Sequence, residues 1–173
     1  MPEGHEGAVV RLEAPPDALG YLWDGRPAIA LLNAFLGQLI DRAGIRAVVA
    51  IGSRARGDWR PWSDIDIILI CDEDIRPYIP GLNDIGIVDV RPYTPDGLIR
   101  GIMRCDVELL EGFEEGLVLY DDGVWRGARG VYERVKALLG IERYGPGWRI
   151  RRKMPLEELS RALGLAPQEG REE

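Results

Sequence analysis

The stretch that most constrains this chain is an apolar run that carries aspartates at and near its start. Its residues place apolar side chains on both faces of an extended segment, which is typical of a strand buried inside a sheet; they are Ile65, Ile67, Ile68, Leu69 and Ile70. Asp64 and Asp66 are two positions apart, so a strand points both carboxylates to one side, roughly 7 Å apart along the backbone. Neighbouring carboxylates repel each other unless positive charge lies between them. The run therefore predicts a site for a hard divalent cation such as Mg²⁺, which prefers oxygen ligands.

A Gly-Ser pair precedes the first of these aspartates. The residues before it, 48–51, are apolar and predict a strand, and Gly52 lets the backbone turn sharply and approach a ligand closely. Ser53 is a natural N-cap for a short helix, where free N–H groups favour a phosphate. A phosphate-binding turn close to a metal-binding carboxylate pair indicates a nucleoside triphosphate held by its phosphates and by metal.

These residues resemble the signature of the polymerase-β-type nucleotidyltransferases, and most of all that of their smallest members, the minimal nucleotidyltransferases. The signature is Gly-Ser, ten residues, Asp, any residue, Asp, and it stands here as Gly52-Ser53 followed by Asp64-Ile65-Asp66. The stretch 54–57, Arg-Ala-Arg-Gly, and Ser63 are also similar to that family. The resemblance covers about residues 47–121. It implies an α/β (α+β) nucleotidyltransferase fold, with a small mixed sheet and helices packed mainly on one face.

The resemblance also implies a set of site residues. A third carboxylate is expected on a later strand, and Asp89 is the match, with a paired or edge polar residue as the alternative interpretation. Asp64, Asp66 and Asp89 would hold two Mg²⁺ ions, and Asp89 would help to deprotonate the acceptor hydroxyl. Gly52 and Ser53 would bind the phosphates of ATP, the likeliest donor for the family, so that AMP is the group transferred.

Minimal nucleotidyltransferases are often antitoxins that adenylylate a tyrosine of a separate HEPN ribonuclease toxin, and the resemblance implies that partner here. The toxin's own site uses an Arg…His motif, and the one histidine of this chain is His5, so the partner would be another polypeptide. Two alternatives remain open. The acceptor is a small molecule or an RNA, or the chain is a non-catalytic module that neutralises its partner by contact alone.

Two arginines and two tryptophans near the Gly-Ser turn each allow two interpretations. Arg54 and Arg56 contact a triphosphate or form a solvated basic face near Asp58, and Arg54 is the nearer to the turn and is taken as a phosphate ligand. Trp59 and Trp62 stack on a nucleotide base or cover the loop, and cover is the favoured interpretation.

We expect the chain to divide into an N-terminal arm (1–25), a nucleotidyltransferase domain (26–140) and a C-terminal extension (141–173), which is expected to be partly disordered, from Pro167 onward. A basic stretch with interleaved aromatic residues, 143–153, allows RNA or acidic-partner binding, but a surface tail is favoured. The predicted helices are 27–43, 95–104, 107–113 and 124–139, with a short further helix over 154–165. The predicted strands are 46–51, 65–70, 84–93 and 117–120.

Charge and composition limit the class of protein. The formal net charge of −7 argues against a general nucleic-acid binder, which needs a basic surface. Cys71 and Cys105 are expected to be free thiols in a reducing cytoplasm, since no signal peptide precedes them and no apolar run is long enough to span a membrane. The low content of Asn and Gln suits a thermophile, although a GC-rich genome would also explain the excess of Arg over Lys.

Overall fold

The computed structural model describes residues 10–165, and a four-stranded sheet forms their centre. The strands are β1 (Ile45–Ile51), β2 (Ile65–Cys71), β3 (Val88–Tyr93) and β4 (Leu117–Asp121). Their order is β3-β2-β1-β4, in which β2 and β3 run parallel and the other two pairs run antiparallel. The expected small mixed sheet is therefore confirmed.

Six helices surround or extend this sheet in the described part of the chain. They are α1 (Ala28–Gly37), α2 (Gly52–Arg56), α3 (Pro95–Met103), α4 (Val107–Glu115), α5 (Val124–Leu139) and α6 (Leu156–Leu163). A single 3₁₀ turn (Ile79–Gly81) lies in the segment between β2 and β3. None of these helices is long and apolar enough to cross a membrane.

Strand alternation divides the core into two layers. On one face, Val48 and Ile67 pack with α1 and with Leu19 and Leu22 from the segment before it. On the other face, Ile68 joins the cluster formed by α3, α4, α5 and α6. Four of the helices therefore cover one face and α1 covers the other, which confirms the expectation that helices lie mainly on one side.

Two predicted elements end differently in the structure. The helix predicted over 27–43 ends at Gly37, after which Gln38 and Leu39 donate to carbonyls three residues back; the apolar pattern continues through buried Leu39 although the helix has tightened into turns. The strand predicted over 84–93 begins only at Val88, because Asp84 has a φ of +62° and starts a turn.

The C-terminal extension is folded onto the domain as far as it is described. A hairpin of β5 (Ile141–Tyr144) and β6 (Gly147–Ile150) follows α5, and α6 then buries Leu159 and Leu163 in the cluster of α3 and α5. The short helix predicted over 154–165 is therefore present as α6, and its apolar face packs against the domain. The surface-tail interpretation concerned 143–153, most of which is exposed. His5 and the tail from Pro167 onward lie outside the described residues.

Candidate functional site

Asp66 and Asp89 lie beside each other in the sheet. They are Cα partners in the parallel pair of β2 and β3, and alternation places both on the face covered by α3, α4 and α5. Burial raises the pKa of the Asp66 carboxyl, and the charge of Asp89 raises it further. The charges of Asp64 and Glu111 add smaller contributions in the same direction, so three neighbouring carboxylates raise the pKa of Asp66.

An arginine offsets part of this negative charge. Arg91 lies two residues after Asp89 on the same face of β3, and its guanidinium donates to the Asp89 carboxylate. It also lies 3.6 Å from a carboxylate oxygen of Glu108 on α4. The charge of Arg91 lowers the pKa of Asp66, but less than burial and Asp89 raise it.

Asp64 occupies the position directly before β2 and is exposed. Its charge adds to the raised pKa of Asp66, and it offsets part of the lowering that burial imposes on the pKa of the Arg54 guanidinium. The three aspartates expected from the sequence thus lie at one end of β2 and on the adjoining start of β3.

Gly52 brings the Gly-Ser turn against this carboxylate group. Its φ of +71° is a left-handed conformation that glycine adopts without strain. A Cβ at this position would lie 2.7 Å from Asp66 Oδ2, so there is no room for a side chain between this backbone and the carboxylate. Ser53 is partly buried inside α2, and Ile51 is the residue that precedes the helix. The prediction that Ser53 caps α2 is therefore wrong, because the helix begins two residues earlier than an N-cap at Ser53 requires.

Glu111 of α4 is a site residue that the sequence analysis missed. Its carboxylate accepts a hydrogen bond from the Gly52 N–H at 3.2 Å and another from Arg56 Nη1 at 3.0 Å. The main-chain N–H at the Gly-Ser turn is therefore already hydrogen-bonded to a carboxylate of the protein. Three more glutamates, Glu108, Glu114 and Glu115, lie within a few positions of Glu111 in the sequence, so no local signal distinguishes it from them.

Arg54 is part of the interior of the protein. Only 1% of the residue is exposed, and its guanidinium donates to the main-chain carbonyls of Leu19 at 2.8 Å and Ser63 at 2.8 Å, with a longer bond to Tyr21 at 3.3 Å. Burial lowers the pKa of this guanidinium. Neither interpretation from the sequence describes this environment, because the side chain is not solvated and its donors are directed to the backbone. It joins the segment before α1 to the loop that leads into Asp64.

The two tryptophans of this loop have different environments. The ring of Trp59 lies directly on Gly20, makes an edge contact with Tyr21 and is covered by the Arg54 guanidinium at 5.5 Å. Trp59 therefore covers the loop, as favoured from the sequence. Trp62 is 72% exposed, beside Arg60.

The donor chemistry of the aspartates fits a hard divalent cation, since all three offer carboxylate oxygens and the charge on Asp66 is disfavoured as it stands. Within residues 10–165, no three His, Cys, Asp or Glu side chains are grouped closely enough to form a finished metal cage. One of the aspartates, Asp89, is engaged by Arg91. Binding of a cation by Asp89 would therefore require its carboxylate to turn away from Arg91.

Comparison with known proteins agrees with this geometry. The model of the nucleotidyltransferase domain family matches residues 32–122, which is more than half of the chain and includes β1 to β4 and all of the residues described above except those before α1. No curated protein matches the chain. The chain therefore belongs to the nucleotidyltransferase domain family, whose members are transferases with nucleotide substrates.

Proposed function

We propose that this protein transfers a nucleoside monophosphate, AMP from ATP, to an acceptor hydroxyl with the help of Mg²⁺. The observation that carries the proposal is the pairing of Asp66 with Asp89 directly beside the left-handed turn at Gly52. It brings the two sequence signals, a close backbone approach and a carboxylate cluster, to one place on the sheet.

Each residue has a role that follows from its position. Gly52 and Ser53 would lie against the phosphates of the nucleotide, where the absence of a Cβ on Gly52 leaves room for a close contact. Asp64, Asp66 and Asp89 would hold two Mg²⁺ ions, which supply charge neutralisation of the phosphates and of the leaving pyrophosphate. Asp89 would also accept the proton of the attacking hydroxyl once its carboxylate has turned away from Arg91.

Arg54 has a positioning role in this proposal. Its hydrogen bonds to Ser63 O fix the main chain next to Asp64, and those to Leu19 O tie the same loop to the segment before α1. The triphosphate contact expected from the sequence would require the guanidinium to leave these carbonyls.

For the acceptor we propose a tyrosine of a separate HEPN-type toxin, so that the protein acts as an adenylylating antitoxin. This step rests on the resemblance to minimal nucleotidyltransferases. The domain division that we propose keeps 26–140 as the transferase, with both flanking segments contributing buried leucines to its core.

The test is transfer of label from α-³²P-ATP in Mg²⁺, on the protein alone, with cell lysate and with the protein encoded next to it. We expect label on the neighbouring protein, lost in Asp66→Ala and retained in Asp41→Ala, an exposed aspartate outside the site. Label on a small molecule or an RNA would keep the transferase and replace the acceptor. No transfer to anything, with a partner still bound, would contradict the catalytic proposal and leave the contact-only module.

A further inference from the structure

A cavity of about 420 Å³ lies at the edge of the sheet next to the candidate site. Its walls come from the loop after β2, the end of β3 and the side of α3 that faces them. Arg91 lies in this wall and donates to Asp89 at the same time. The cavity therefore adjoins the residue to which the proposed mechanism assigns the acceptor hydroxyl.

The charges that line the cavity are mainly positive. Four guanidinium groups contribute to it, from Arg76, Arg91, Arg100 and Arg104, against the carboxylates of Glu73 and Asp74. Asp74 is held by Arg76 through both of its oxygens. The cavity thus carries a local excess of positive charge in a chain whose formal net charge is −7.

Two of these arginines lie one helical turn apart at the C-terminal end of α3, Arg100 in its last turn and Arg104 directly after it. Arg104 approaches Asp106 only at 3.7 Å, and within residues 10–165 no ion pair of Arg100 is seen. Like charges at positions i and i+4 of a helix repel each other, which disfavours this arrangement in the absence of a counter-charge. The dipole at the end of α3 favours basic residues there. Arg91 on β3 and Arg76 in the β2 loop are each paired with a carboxylate, so Arg100 is the lining arginine for which the described residues supply no carboxylate.

We propose that this cavity binds an anionic group, a phosphate or a carboxylate, of the acceptor. The assignment to the acceptor rests on the proposed function, whereas the binding of an anion does not. A guanidinium fork matches the geometry of either anion, and the volume suits one group or a small molecule. A nucleic-acid backbone is disfavoured, because it needs a continuous basic surface and the chain as a whole is acidic.

The binding is tested by two-dimensional NMR of the ¹⁵N-labelled full chain, titrated separately with inorganic phosphate and with succinate. We expect saturable shifts of the Thr94 and Gly97 amides, which line the cavity, at anion concentrations up to about 10 mM. Arg100→Gln should weaken that binding at least about fivefold, since it removes one charge-assisted contact. Arg126→Gln, an exposed arginine of α5 outside the cavity, should leave it unchanged.

The two anions separate a phosphorylated acceptor from a carboxylate-bearing one, according to which of them binds more tightly. Shifts confined to Gly52 and Ser53 would place the anion at the Gly-Ser turn and overturn the cavity site, as would equal binding by wild type and Arg100→Gln.

The assignment to the acceptor is tested by transfer kinetics. We expect Arg100→Gln to raise the KM for the acceptor that receives the label from ATP, and to leave the KM for ATP unchanged. Arg126→Gln is the control. Anion binding in the cavity without any change in acceptor KM would overturn the acceptor assignment. Asp66→Ala separates the two proposals, since it should abolish transfer and retain the anion-induced shifts at Gly97.

Discussion

Asp66 on β2 and Asp89 on β3 are direct neighbours across two parallel strands, and the guanidinium of Arg91 donates to Asp89 and not to Asp66. Asp66 is left half-buried among negative charges, and its pKa is raised by burial first and by Asp89 next. The folded protein thus holds a carboxylate where ionisation costs free energy. A cation bound at Asp66 would recover that free energy, which links the instability of the site to its proposed use.

This arrangement predicts a pH-dependent gain in stability for Asp66→Asn. A raised pKa means that the contribution of Asp66 to stability is fully present below its unfolded pKa of 3.8 and is lost as the pH rises through the folded pKa. Asparagine does not ionise, so the variant should unfold at higher urea concentration than wild type at about pH 7, with the difference shrinking towards about pH 4. Asp41→Asn should show no such trend. A variant less stable than wild type at neutral pH would show that Asp66 is stabilised by contacts rather than strained.

The close approach at Gly52 can be separated from backbone strain by a matched pair of variants. Gly52 and Gly57 both have left-handed φ angles, +71° and +86°, but a Cβ at Gly57 meets nothing within 4 Å. Gly52→Ala and Gly57→Ala should therefore each lose about 1–2 kcal/mol of unfolding free energy from the conformation alone. Only Gly52→Ala brings a methyl group against Asp66, and transfer of label should fall by on the order of 10³-fold in that variant alone. Equal activity losses in the two would mean that the turn geometry, and not the space beside Asp66, matters.

The buried guanidinium of Arg54 predicts a large effect on stability. Arg54→Met leaves the carbonyls of Leu19 and Ser63 without their donor in the interior, which should cost about 2–4 kcal/mol in urea unfolding. Arg60→Met, on the same loop with an exposed side chain, should change stability by less than about 0.5 kcal/mol. If Arg54→Met were as stable as the Arg60 variant and impaired only in nucleotide affinity, the phosphate contact expected from the sequence would be the better account.

The contrast between Asp66 and Arg54 shows which features of the structure could be predicted from local sequence patterns and which could not. The spacing of Asp64 and Asp66, the apolar run around them and the Gly-Ser turn are local patterns. They predict β2, which the structure confirms, and they place the three aspartates near one turn, whose use as a site stays a prediction. The partners of Arg54 lie up to 35 positions away, on a segment before α1, and no local pattern encodes them. The same reason hid Glu111, which reaches Gly52 across 59 positions.

In the C-terminal extension, the sequence pattern predicted a helix but did not predict which part of the protein the helix packs against. The predicted helix over 154–165 appears as α6, yet only the tertiary structure shows that its apolar face meets α3 and α5. Leu159→Ala should therefore cost about 2–4 kcal/mol, because it removes a buried side chain from that cluster. Leu156→Ala on the same helix is 51% exposed and should cost less than about 0.5 kcal/mol. Equal, small effects of the two substitutions on the urea midpoint would mean that α6 does not contribute to the stability of the domain.

Glu111 predicts a gain of nucleotide affinity on mutation. Its carboxylate accepts from the Gly52 N–H and from Arg56, so a phosphate arriving at the Gly-Ser turn has to displace it. A hydrogen bond to a charged acceptor is stronger than one to a neutral amide by about 1 kcal/mol, so Glu111→Gln should lower the Kd for ATP with Mg²⁺ about fivefold in calorimetry. Glu133→Gln, on α5 and exposed, is the matched control. The opposite result, weaker ATP binding in Glu111→Gln alone, would mean that Glu111 supports the bound nucleotide or its cation rather than competing with the phosphates. The direction of the change thus decides whether Glu111 belongs with Asp64, Asp66 and Asp89 as a fourth acidic ligand or occupies the phosphate position until the nucleotide arrives.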